Sequence, residues 1–177
     1  MKNAKKGGLA GLFWPALFAC GCVFAYWTYW KNVADGIETA VRNALPASAA
    51  SAVAVSGFPY RLTLEIVDLN VRNQSGYGVQ AKSVVATATP LNPRLWVLEG
   101  ATEPKLALQQ GQYRPLQAKK LQASLRIGDN KLDRFSLTFD GIDALDRTSG
   151  AVVWQVGKGQ LHLVSDPNTP DVLGSTG

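Results

Sequence analysis

The hydrophobic pattern along this chain changes twice. From Gly7 to Trp30 it is continuous, with 24 residues and no charge among them. From Lys31 to Leu45 it repeats every four residues, at Val33, Ile37, Val41 and Leu45, with Ala34, Ala40 and Ala44 beside them and Asn32, Asp35, Glu38, Arg42 and Asn43 on the other turns. From Tyr60 onward it alternates, as in Tyr60, Leu62, Leu64 and Ile66 set against Arg61, Thr63 and Glu65. A repeat near 3.6 places apolar residues on one helix face, whereas a repeat of two places them on one sheet face.

These periods predict the elements. The continuous run reads as a helix about 36 Å long, enough to cross a bilayer core of roughly 30 Å with some tilt. Lys31–Leu45 reads as an amphipathic helix, continuous with the first or broken near Gly36, and ended by Pro46. "PASAASAVAVS" is a linker or a first strand through Val53 and Val55. Strands then follow at Tyr60–Ile66, Gly78–Pro90, Leu95–Glu99, Lys105–Gln109, Leu121–Ile127, Phe135–Phe139, Val152–Val156 and Leu161–Leu163. Turns at "RNQSGYG", "QGQ", "GDNK" and "GKG" are too short for crossover helices, so neighbours should pair antiparallel. The expected fold class is mainly β: an N-terminal transmembrane helix continuing into an amphipathic helix, then a curved antiparallel sheet of seven or eight strands. The division is 1–30 for tail and span, 31–55 for amphipathic helix and linker, 56–165 for the β domain, and 166–177 for a Pro-, Gly- and Ser-rich tail expected to be disordered. A sheet with one apolar face needs a cover, and the amphipathic helix supplies part of one.

Charge bears on orientation more than on partners. Three of the 18 basic residues are Lys2, Lys5 and Lys6, and the remainder nearly balance the 13 acidic ones. That is no nucleic-acid footprint. The lysines before the apolar run favour a cytoplasmic N-terminus and an exported β portion, and Tyr26, Trp27, Tyr29 and Trp30 suit the headgroup zone at its outer end. Two alternatives compete with an uncleaved anchor. A cleaved signal has a shorter apolar region, and here the Ala47-Ser48-Ala49 pattern lies far beyond it. Lipidation at Cys20 would use Leu17-Phe18-Ala19-Cys20 as an imperfect lipobox, yet the apolar run continues for ten residues past it. Cys20 and Cys22 point different ways on a helix and read as small apolar residues.

Chemistry is sparse. His162, the single histidine, alternates with Leu161 and Leu163 and should face solvent, without a nucleophile motif nearby. Asp140, Asp143 and Asp146 are three apart, lack calcium-loop spacing, and would share a solvated face on a short helical turn. Gly157-Lys158-Gly159 lacks the phosphate-loop pattern and reads as a hairpin. No metal, cofactor or catalytic residue is assigned.

"SGFPYRLTLEI" (56–66), "ATPLNPRLWVLEG" (88–100) and "ASLRI" (123–127) occur in an order that resembles a bacterial family of uncharacterised, domain-of-unknown-function envelope proteins. The resemblance covers roughly 31–140. It implies one N-terminal membrane anchor, an exported β-rich domain and, in longer members, a second β-rich portion. In general layout the family is similar to anchored envelope proteins whose long β-grooves handle lipids, an analogy of fold that does not fix function. Gly57 and Pro59 should set a bend ahead of the first long strand, and Pro90 and Pro93 should stop pairing around Asn92. The expected function is a non-enzymatic, single-pass, membrane-anchored envelope protein of the bacterial inner membrane, its periplasmic β domain binding lipid or a partner. The alternative is an accessory or assembly subunit that meets a membrane protein through its helix. Candidate lipid or partner contacts are Val33, Ile37, Val41, Arg61, Arg94 and Trp96. For Arg61 and Arg94, pairing with a carboxylate or lying along a sheet edge is the commoner role.

Overall fold

The computed structural model describes residues 10–108, 111–127, 132–165 and 173–176. One helix, α1 (Ala10–Ala44), runs unbroken through both Pro15 and Gly36. Pro15 withholds one N–H from the helical ladder without ending the helix, and Gly36 costs only some propensity. Ion pairs one helical turn apart, Lys31–Asp35 at 3.2 Å and Arg42–Glu38 at 2.8 Å, line its polar side. Among the described residues, no helix is long and apolar enough to cross a membrane.

Among the described residues nine strands follow: β1 (Ala52–Ser56), β2 (Leu62–Arg72), β3 (Gly78–Thr89), β4 (Asn92–Thr102), β5 (Lys105–Ala107), β6 (Tyr113–Ile127), β7 (Leu132–Leu145), β8 (Val152–Ser165) and β9 (Leu173–Thr176). All belong to one antiparallel sheet in the order β1-β2-β3-β4-β6-β7-β8-β9, with short β5 bridging β3 and β6. The mainly β class and antiparallel pairing follow the sequence pattern. Of the two readings of the segment before Gly57, linker or first strand, the strand holds: Val53 and Val55 pair with Ile66 and Leu64. Other details differ. Leu173–Thr176, expected to be disordered, pairs along His162–Ser165 of β8. The "GDNK" turn lies outside the described residues.

Of two expected breaks, one is present and one is absent. The chain turns at Pro90-Leu91 between β3 and β4, and although Pro93 lies inside β4 the β3–β4 register skips from Asn92 to Val97. Proline is tolerated there because the β3–β4 register is already irregular between Thr87 and Thr89. Gly157-Lys158-Gly159 is not a hairpin but the middle of β8. Gly159 pairs with Phe139, whose ring occupies the space a side chain would need: a Cβ at 159 would lie 2.3 Å from Phe139 Cζ. The glycine serves packing, not turning.

Register aligns the apolar positions into ranks. One crosses seven strands: Val55, Leu64, Ala86, Leu98, Ala123, Leu137 and Leu161. Another joins Trp96, Leu125, Phe135 and Leu163. Helix α1 lies over the β1–β4 portion of this face. The core there contains Trp30, Ala34, Val53, Leu62, Leu64, Ala88 and Trp96, with Val33, Ile37, Val41 and Leu45 packed against it.

The approach of the helix is fixed by three aromatic residues. Tyr26 Oη donates to the Pro59 carbonyl, Tyr29 Oη to that of Pro90 at 3.0 Å, and Trp30 Nε1 to that of Arg61 at 3.2 Å. Phe58 meets the Trp30 ring edge-on, with centroids 5.6 Å apart. The Gly57–Arg61 turn that presents these carbonyls needs its glycine. Gly57 has φ +102°, and a Cβ would lie 2.9 Å from the Arg61 carbonyl oxygen.

Trp30→Phe should lower stability by about 0.5–1.5 kcal/mol through the lost hydrogen bond, and Trp30→Ala by about 3–5 kcal/mol through the cavity. Denaturant unfolding of the full-length protein reads both. Gly159→Ala should cost about 1–3 kcal/mol by overpacking, with much of the loss recovered in the Gly159→Ala/Phe139→Leu double variant. Additive effects would show that the ring does not fill the glycine's place.

Candidate functional site

The apolar ranks, the position of α1 and the sizes of particular side chains together create a groove. It has a volume of about 480 Å³ and runs between the helix and the sheet. Val33, Ile37 and Val41 line its helix wall, with Gly36 and Ala40 between them. Leu64, Ala86, Trp96, Leu98, Ala123, Leu125 and Phe135 supply the sheet wall.

Small residues open the space. The rank Leu64, Ala86, Leu98, Ala123, Leu137 alternates large and small, so Ala86 and Ala123 leave depressions in the floor. Gly36 faces open space, with nothing within 4 Å of where its Cβ would stand. Trp96 is held by a 2.9 Å hydrogen bond from Nε1 to the Pro93 carbonyl and is 4 % exposed. Among the described residues, Arg94 is the only charged one lining the groove, and no histidine, cysteine or carboxylate lines it. What these side chains offer is an apolar surface with one cation beside it, a chemistry of binding.

Five of the six candidate contacts therefore meet. Val33, Ile37, Val41, Arg94 and Trp96 share this groove. Arg61 does not join them: its side chain borders a smaller hollow of about 230 Å³ with Thr87, Thr89, Asn92, Leu95 and Val97. Pairing puts Val97 opposite Thr87, one residue out of phase with the Ala86–Leu98 pair that lines the groove, and so on the other sheet face. The groove residues missed by sequence reasoning include large apolar ones such as Leu64, Leu98 and Phe135 and four small ones, Gly36, Ala40, Ala86 and Ala123, that open the space. The signal for Ala86 and Ala123 was the alternation of Ala with Leu across strands, which appears only once register is known.

A polar cleft of about 590 Å³ lies elsewhere, bordered by Ser51, Asp68, Lys82, Glu103 and Lys105. Its charges are matched internally: Glu103 lies 3.7 Å from both lysines, and Ser51 donates to Asp68 at 2.8 Å.

The sequence profile of DUF2125, described as an uncharacterised protein conserved in bacteria, matches residues 31–176. The chain belongs to the DUF2125 family. No curated protein and no solved structure matches it. Every groove residue of this DUF2125 chain falls within the matched span, whereas the uncharged run before Lys31 falls outside it.

The isolated polar candidates of the DUF2125 chain occupy separate places. His162 shares a 3.0 Å hydrogen bond with Ser136, its cross-strand neighbour. The three aspartates do not share a helical turn, because "DGIDALD" continues β7. Asp140 and Asp143 point to opposite sheet faces; Asp140 pairs with Lys158 at 3.6 Å. Asp146 closes the β7–β8 loop. It accepts from the backbone N–H groups of Thr148 and Ser149 at 3.0 and 2.9 Å and from Ser149 Oγ at 3.0 Å.

Those bonds, chiefly the two from Ser149, favour the ionised form and hold the Asp146 carboxyl below the ordinary aspartate range. Because the folded-state value is the lower one, this loop's stabilisation is complete at neutral pH. It is lost as pH falls through that lowered value. An NMR titration of the Asp146 carboxyl should show a midpoint below that of an unstructured aspartate, and Ser149→Ala should move it upward. An unchanged midpoint in Ser149→Ala would remove Ser149 as the cause.

Proposed function

We propose that this protein is a non-enzymatic, single-pass membrane-anchored envelope protein whose exported β domain holds the acyl portion of a lipid in the groove beneath α1. The observation that carries the reading is the groove itself: nearly continuous apolar walls, Arg94 as the one charged residue among the described ones that line it, and a volume of about 480 Å³. That volume falls within the range of small-molecule sites, about 300–1,000 Å³. A headgroup phosphate suits a guanidinium, and an acyl chain suits walls of Val, Ile, Leu and Trp.

Support for the anchor comes from the start of the chain. The uncharged run begins at Gly7, ahead of the described part of α1, and lysines precede it. Along the helix below the sheet, Phe13, Trp14, Leu17, Phe18, Val23 and Phe24 are all exposed, from 52 to 75 %. A run of large apolar side chains standing clear of its own domain calls for an apolar surrounding. With lysines on the near side, the positive-inside tendency puts the sheet in the periplasm. For the accessory-subunit alternative, contact through Val33, Ile37 and Val41 would compete with their present packing against the protein's own core.

The lipid reading is tested by filling the groove. Gly36→Phe adds a ring where space is open, without a backbone clash. Full-length protein purified in mild detergent should yield co-purifying glycerophospholipid by extraction and mass spectrometry. The Gly36→Phe protein should yield severalfold less while keeping its β-sheet circular dichroism. Ala123→Trp fills the same space from the sheet side, and Thr138→Trp on the polar face serves as control. Equal lipid from wild type and both groove variants would overturn the proposal.

A further inference from the structure

Two turns carry large apolar side chains that the fold itself does not use. Tyr60, in the β1–β2 turn, is 86 % exposed, and Leu91, in the β3–β4 turn, is 89 % exposed. Phe58 is 42 % exposed even though it touches Trp30 and Tyr26. In an antiparallel sheet alternate turns share one end, so both tips lie at the same end of the sheet.

Helix α1 meets the sheet at that end too. The Tyr26 and Tyr29 hydroxyls bond to Pro59 and Pro90, the residues immediately preceding the two tips. The exposed apolar side chains of α1, from Phe13 through Phe24 to Trp27, thus reach the level of the tips. The flanking sequences carry one sign of charge. "GFPYR" and "PLNPR" contain Arg61 and Arg94 and no acidic residue. A protruding tyrosine and leucine, each followed closely by arginine, have the composition of an interfacial contact: apolar atoms below the headgroups, guanidinium groups among the phosphates.

We infer that Tyr60 and Leu91 form a membrane-seating surface, inserting into the headgroup boundary of the same phospholipid bilayer that holds α1. The inference rests on the anchor reading above and adds to it. The β domain stands on the membrane with its turns in contact, and does not swing on the helix as a tether. The occupant of the surface is anionic phospholipid. Continuity with the exposed apolar face of α1 and the paired arginines favour it over a protein partner. Seating also places the groove, which starts at Asn32 and Val33 on the helix side and at Pro93 and Arg94 on the sheet side, directly above the headgroups.

Full-length protein with Cys20→Ser and Cys22→Ser allows the test by single labelling with an environment-sensitive fluorophore. Labels go at Tyr60→Cys and Leu91→Cys, at Phe18→Cys on α1, and at Ser75→Cys and Thr148→Cys in turns at the far end of the sheet. The protein is reconstituted in vesicles of phosphatidylethanolamine and phosphatidylglycerol containing headgroup-proximal nitroxide lipid. Labels at 60 and 91 should be blue-shifted and quenched severalfold more than those at 75 and 148, with 18 also quenched. Quenching at 18 but not at 60 or 91 would overturn the seating surface and leave the anchor intact. No quenching at 18 would overturn the anchor and the inference with it. Labels at 60 and 91 that are shielded from iodide in native membranes yet remain exposed in pure lipid vesicles would assign the surface to a protein partner and overturn the lipid assignment.

Discussion

A single helix has to cover a sheet about three times its width. Eight strands set about 4.8 Å apart span roughly 34 Å, whereas a helix with its side chains is about 10–12 Å across. Register carries the apolar face from Val55 on β1 to Leu161 on β8 without interruption. The helix therefore closes a core over the first four strands and leaves a half-covered apolar surface beyond it. The groove is the line along which coverage stops. It is deepened because Gly36 and Ala40 above, and Ala86 and Ala123 below, lack the side chains that would fill it.

Where the helix lies is decided by its aromatic turn. Tyr26, Tyr29 and Trp30 combine an apolar ring with a hydrogen-bond donor, which also makes such residues suited to a membrane interface. Here their donors bond to carbonyls in the turns of the sheet, and Trp30 enters the core at 8 % exposure. Sequence reasoning assigned the whole group to headgroups. The structure gives part of that interface to the protein itself, leaving Trp27 exposed on the helix. The carbonyls of Pro59 and Pro90 belong to turn segments without a regular strand partner. Satisfying them with tyrosine hydroxyls pins the helix and turns together. On the seating inference, this pinning also lets the turns stand at the bilayer surface when the helix crosses it.

Legibility differed among the candidate residues for physical reasons. Val33, Ile37 and Val41 were readable because a four-residue repeat defines a helix face before any partner is known. Trp96 and Arg94 were readable as a large inward residue and a cation beside a turn, and the sheet brought them to that helix face. Arg61 looked like Arg94 in sequence, each closing a proline-containing turn, but its side chain borders a hollow on the opposite sheet face. The Gly-Lys-Gly turn and the helical aspartate cluster failed for a shared reason. Local chemistry allowed a turn at each, but β7 and β8, 14 residues each, gain more by staying paired from Arg134–Val164 to Leu145–Val152. Gly159 looks like a turn residue until Phe139 is seen above it.

The sequence by itself determined the periods: one continuous apolar helix start, one amphipathic helix continuation and a series of alternating strands joined by short turns. Those follow from backbone geometry, because side-chain direction repeats every 3.6 or every 2 residues whatever the neighbours do. Membership of the DUF2125 family was also legible, in turn motifs that the β1–β2 and β3–β4 connections then explained. Tertiary structure alone decided that all the strands form one sheet, that the helix lies over its first half, and that small residues from distant strands meet to form a groove. Cross-strand register and helix docking are long-range choices. They depend on which surfaces exclude water together, and no local pattern in the chain encodes that.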